Sequence, residues 1–112
     1  MIEVRKLTGV DLSQVLHDNH VVFFRDQKPL SEEEHIRLGR HSGMLDVSEI
    51  QSKKSFHPEV LYLDQMLGKS SDVELFHRDR TYLEARPLGS ILQCMVKPEM
   101  GGDTCWASLV AA

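Results

Sequence analysis

The sequence is short of most features that would assign it quickly. It has two cysteines in 112 residues, Cys94 and Cys105, with neither the CxxC spacing of a thiol redox or zinc motif nor the density of a disulfide scaffold. Both are expected as reduced, structural thiols; a hairpin centred on Pro98–Gly101 would set them across from one another, within reach of a bridge under oxidising conditions. No apolar run approaches the roughly 18–20 residues of a membrane helix, and the opening MIEVRKLTGV has no signal-peptide apolar core. A cytoplasmic protein with no membrane partner is the expectation. Thirteen Lys and Arg against seventeen Asp and Glu give a net charge of −4 with no basic run, which argues against nucleic acid as a partner. There is one Trp, no internal repeat and no low-complexity segment. At this length the chain is one domain at most, able to bury roughly 60–70% of its unfolded surface.

What is present is a series of short apolar segments punctuated by turn residues. Ile2, Val4 and Leu7 alternate with charge as a half-buried strand, followed by a Gly9–Leu12 turn. Val21–Phe24 is β-branched and aromatic, as in a buried strand, and Asp26–Pro29 ends it. Ser31 and Glu34 form an S-x-x-E capping box that should start a helix running through Ile36 and Leu38 and stopping at Gly43. Residues 44–56 read as loop, Val60–Asp64 as a strand, Gln65–Asp72 as a Gly- and Ser-bearing loop, and Pro87–Lys97 as a core strand. Gly101 and Gly102 supply positive φ to the turn that follows; Thr104–Ala107 then returns to strand, and Leu109 opens a helical turn.

The residues that carry chemistry lie in FHRDRTYLEARPLGSILQCMVKPEMGGDTCWAS, residues 76–108. In an extended strand His77 and Asp79 share a face, so an imidazole and a carboxylate could reach one divalent cation. Such a pair, with a further His, is the facial triad of non-haem iron oxygenases. An H-x-D alone is more simply a hydrogen-bonded His–Asp pair on a polar strand edge.

Its company favours the metal. The order HRD, TYLE, RPLGSIL and GGDTCWAS, preceded by HVVFFRDQ and SEEEHIRLGRHSG, resembles the taurine dioxygenase family of Fe(II)- and 2-oxoglutarate-dependent dioxygenases, from about Val21 to the last residue. The resemblance implies His77 and Asp79 as metal ligands, Thr104 as the hydroxyl that hydrogen-bonds the 2-oxoglutarate carboxylate, and Fe(II) and 2-oxoglutarate as cofactor and cosubstrate. It implies hydroxylation of a small, anionic organic substrate. Thr104 has a plainer reading as a strand residue after a Gly-Gly-Asp turn. By alternation Arg78 and Arg80 should face away from the metal. Tyr82 and Trp106 should fill the core, and the remaining histidines should be surface or capping groups.

The pattern also departs from the family. Phe76 and Arg78 stand where Trp and Thr are usual, Ser42 where an aromatic is usual, and Leu45–Ser48 holds no His of the kind that binds taurine. The helix usual before VVFF looks deleted, with only Ser13–Asn19 in its place, room for a turn or two. The family's second metal-binding His and its cosubstrate Arg lie well downstream of the GGDT block. The expected object is therefore residues 1–112 as the N-terminal part of one such domain: α+β, mainly β, an incomplete double-stranded β-helix (jelly roll) with one or two short helices. It should be inactive alone, with exposed strand edges that invite homo-oligomers. The alternative is a non-catalytic truncated remnant acting at most as an interaction module.

Overall fold

The computed structural model describes residues 2–4, 11–47, 55–63 and 75–111. The chain divides into two compact units, residues 1–29 with 94–112, and residues 30–93.

In the first unit β1 (Ile2–Val4) and β2 (Val22–Phe24) form a parallel pair, with Ile2 opposite Val22 and Val4 opposite Phe24. Parallel neighbours need a crossover, and α1 (Leu12–Asn19) supplies it. The helix that looked deleted is thus present, shortened to about two turns. Asp11 belongs to it as the N-cap, its carboxylate accepting from the Ser13 N–H at 2.9 Å. Gln14 donates to Asp18 one turn on at 2.8 Å. His20 ends the helix at φ 65° by donating its N–H to the Leu16 carbonyl, and Asp26 at φ 57° breaks the chain after β2. β2 is half-buried rather than buried. The Phe23 ring meets Trp106 edge to face at 5.2 Å and carries the Arg25 guanidinium at 5.5 Å. Trp106 is nonetheless an exposed side chain, not a core filler. Gly101 and Gly102 take φ 73° and 71°, as the turn requires.

The second unit is organised on α2 (Glu32–Arg40). The expected capping box is formed: the Ser31 hydroxyl accepts from the Glu34 N–H, and Glu34 accepts from the Ser31 N–H at 2.9 Å. Three glutamates in the first turn and Arg37 and Arg40 in the last complement the helix dipole. The helix ends at Arg40 with His41 as C-cap, its Nδ1 bonded to the Arg37 carbonyl at 2.7 Å. Gly43 comes later, at φ 138° in the exit turn. Ile36, 8% exposed, is the buried apolar side chain among the described residues.

Side chains fasten neighbouring segments to this helix. Gln93 accepts from the Leu30 N–H at 2.8 Å and donates to the Leu30 carbonyl at 3.2 Å, a side-chain amide taking the place of a paired strand. Glu32 accepts from Ser55 and from Tyr62, and His35 reaches the Ile91 carbonyl. Gly39 admits Leu45, whose Cδ2 would stand 2.8 Å from any added Cβ.

The strands expected within residues 60–63, 87–97 and 104–107 are irregular chain instead, and Leu109–Ala111 forms a bend at Ser108 rather than a helical turn. A strand exists only when its backbone groups find a neighbouring ladder, and a lone extended segment is not stable in water. Those segments find no ladder among the described residues, so Leu88, Leu92 and Val96 stay exposed. The expected loop at Gln65–Asp72, the contribution of Leu7 and the end of the 60–64 strand at Asp64 lie outside the described residues. Cys94 and Cys105 are free thiols.

Candidate metal centre

His77 and Asp79 lie in the second unit, on irregular chain that enters a turn over residues 79–82. No strand carries them, yet they converge: His77 Nε2 is 3.2 Å from Asp79 Oδ1. The other ring nitrogen, Nδ1, is 2.9 Å from the Leu75 carbonyl. That carbonyl can only accept, so the ring meets it through Nδ1–H; the Asp79 oxygen is likewise an acceptor, and a metal ion shared with the carboxylate would take the place of a proton at Nε2. Anchoring one imidazole nitrogen on a backbone carbonyl is how metal-binding histidines are oriented.

The separation also suits a shared ion. Two cis donors at bond lengths of about 2.1 Å in an octahedral shell stand roughly 3.0 Å apart. Both side chains are exposed, so a hydrated cation has access to them. The residues present therefore fit a divalent metal as two adjacent ligands. Other His–acid pairs occur at His17–Asp18 and His57–Glu33, both on the surface. Among the described residues, His77 is the histidine that has one nitrogen on a backbone carbonyl and the other at a carboxylate. Among these residues, too, no group of three or more His, Cys, Asp or Glu is gathered to hold a metal. Thr104 is exposed and belongs to the first unit.

Arg78 is exposed, as are all of residues 75–79, whereas Arg80 is half-buried rather than turned outward. The turn ends alternation at Asp79, and Arg80 takes φ 55°, which costs a residue with a Cβ about 1 kcal/mol. Its guanidinium is directed at Asp46 Oδ2, 2.6 Å away, and donates to the Val47 carbonyl at 3.4 Å and the Tyr82 hydroxyl at 3.1 Å. It also stacks at 5.7 Å over the Tyr82 ring, which is itself exposed rather than in a core. The Arg80 Nε is buried without a partner, so the other contacts must outweigh that loss. No local sequence signal marks this pair, because its members are 34 residues apart (80 − 46).

Asp46 and Val47 continue from α2 along an open cleft of about 620 Å³ lined by Arg40, Gly43, Met44, Leu45, Val47 and Glu59. Its surface is apolar along Met44, Leu45 and Val47, with a cation at Arg40, 3.5 Å from Glu59. In the first turn of α2, several hydrogen bonds stabilise the ionised carboxylate of Glu33. Its own backbone N–H contributes most, then the Ser31 hydroxyl and His57, and together they hold its pKa below the usual carboxylate value.

Comparison with known proteins gives the site its context. An α-ketoglutarate-dependent sulfate ester dioxygenase of Pseudomonas putida is 33% identical over 99 residues, 82% of this chain and 30% of that protein. An alkylsulfatase of Acinetobacter baylyi is 29% identical over 131 residues, 99% of this chain and 41% of that protein. The chain thus spans less than half the length of either relative. No solved structure matches it significantly. The model of the family described as taurine catabolism dioxygenase TauD, TfdA family, matches residues 3–112, and this chain belongs to that family.

Proposed function

We propose that these residues form the N-terminal part of an Fe(II)- and 2-oxoglutarate-dependent dioxygenase acting on a small organic anion, with His77 and Asp79 as two of its metal ligands. The observation that carries this reading is the 3.2 Å approach of His77 Nε2 to Asp79 Oδ1, with Nδ1 anchored on Leu75. Iron bound there with 2-oxoglutarate supplies the activation of O₂ that hydroxylates an unactivated C–H bond. The chain's own residues orient that chemistry. The Leu75 carbonyl anchors the His77 ring and Asp79 would offset the metal's charge, while the role of Thr104 toward a cosubstrate carboxylate rests on the family resemblance alone.

A sulfate ester or similar anion is the substrate class this reading favours. The sulfate-ester relative supports it. Leu45–Val47 offers no imidazole, which makes taurine a poor fit. The family's second metal-binding His and its cosubstrate Arg are assigned outside these 112 residues, in a jelly roll to which the exposed apolar segments belong. The same exposed side chains would support self-association, and a cytoplasmic setting suits the chemistry.

Anaerobic titration with Fe(II) and 2-oxoglutarate tests the reading. A visible charge-transfer band that vanishes in His77→Ala is expected, together with no succinate formed by the 112-residue chain alone. A band that survives His77→Ala contradicts the assignment, and succinate formation contradicts the incompleteness.

A further inference from the structure

We propose that Arg80 is a positioning residue for the metal pair, fixing the turn that carries Asp79 against Asp46 and the cleft-lining Val47. The inference rests on the metal reading of His77 and Asp79 and adds to it a specific mechanical support. Asp79 sits on irregular chain at the start of a turn, so no sheet ladder holds its carboxylate beside His77. The next residue supplies what the missing ladder would. Arg80 spans from this turn to Asp46 Oδ2 at 2.6 Å and to the Val47 carbonyl at 3.4 Å, and it closes on its own turn through the Tyr82 hydroxyl at 3.1 Å.

Three features make this more than an incidental surface ion pair. The Arg80 side chain is only 20% exposed, the least exposed cationic member of the ion pairs among the described residues. The backbone adopts φ 55° at a residue with a Cβ, a conformation that persists only where surrounding contacts over-determine it. Finally, the guanidinium engages an anion, a carbonyl and an aromatic at once, a combination that a lysine's single ammonium cannot reproduce. The consequence is that the residue beside one metal ligand is clamped to Asp46 and to the cleft-lining Val47. Asp46 thereby influences the ligand pair although it touches neither ligand in the described contacts.

The test uses the 112-residue chain without metal and then with Co(II) as the probe. Histidine-ring NMR of the metal-free chain reads the His77 environment in wild type, Asp46→Asn, Arg80→Lys and Arg80→Gly. Glycine accepts φ 55° freely, so Arg80→Gly removes the guanidinium without penalising the backbone. The His77 ring signals are expected to shift in Asp46→Asn and in Arg80→Gly, and less in Arg80→Lys, with the Co(II) dissociation constant rising about tenfold in the first two. Unchanged His77 signals in Asp46→Asn would overturn the proposal, whatever Arg80→Gly does, because only the long-range partner separates clamping from simple proximity. Far-UV circular dichroism confirms that α2 persists in each variant. The underlying metal reading fails separately, if His77→Ala leaves Co(II) binding as in wild type.

Discussion

Two stretches of the second unit, α2 and the 77–82 turn, are held in place by opposite means. α2 is specified locally: Ser31 and Glu34 satisfy each other's backbone groups, acidic residues fill the first turn and basic residues the last, all within ten positions. The 77–82 turn has no such code. It relies on Arg80 reaching Asp46 and Val47, and on His77 reaching the Leu75 carbonyl. The difference teaches that a locally encoded scaffold can carry a site whose geometry depends on one long-range clamp, Arg80 to Asp46 and Val47, beside the local His77–Leu75 contact.

Substitutions should separate the two cases, and the largest effect belongs to the site. His77→Ala or Asp79→Ala should abolish measurable Co(II) binding by calorimetry while leaving the helical circular dichroism intact. Retention of binding in both would show that the pair is only a surface hydrogen bond. Next in size, Ile36→Ala removes the buried apolar side chain of α2 and should cost about 2 kcal/mol, at the low end for core leucine and isoleucine truncations because the surroundings are open. Urea unfolding monitored at the helix signal measures it. Ser31→Ala should cost about 1 kcal/mol by deleting the cap, again without altering Co(II) affinity. A change in affinity there would mean that helix and turn are not independent.

The smallest expected effect is a pH dependence. Glu33 has a folded-state pKa depressed below its ordinary 4.5 by hydrogen bonds from its backbone N–H, Ser31 and His57. A depressed carboxylate adds stability that is fully present above the ordinary value and is lost as pH falls through the folded value. The urea midpoint should therefore decline slightly on acidification below that range. In Glu33→Gln the decline should be shallower, and an identical acid profile would remove Glu33 from the account.

The same division governs what the sequence made legible. The capping box, α2, β2 and the positive-φ glycines were readable because each depends on neighbours within a few residues. The turn or two of helix before β2 has the length the sequence left room for, but its start was missed because Asp11 was read as part of a turn, although Asp before Leu12 is an ordinary N-cap. Strands at 60–63, 87–97 and 104–107 were expected from apolar content, which records what a segment would pair with but cannot supply the partner. Within the site, the approach of His77 to Asp79 was anticipated on a strand face and occurs on irregular chain entering a turn instead. The reversal of Arg80 was hidden for the same reason: alternation holds only while the chain stays extended.

Paramagnetic broadening by Mn(II) examines the joint grip of His77 and Asp79 most directly. Added at low stoichiometry to the isotopically labelled chain, the ion should first erase the signals of His77, Asp79 and their immediate neighbours. Broadening centred instead on His17–Asp18 or on the glutamates of α2, with His77 and Asp79 still sharp, would contradict it.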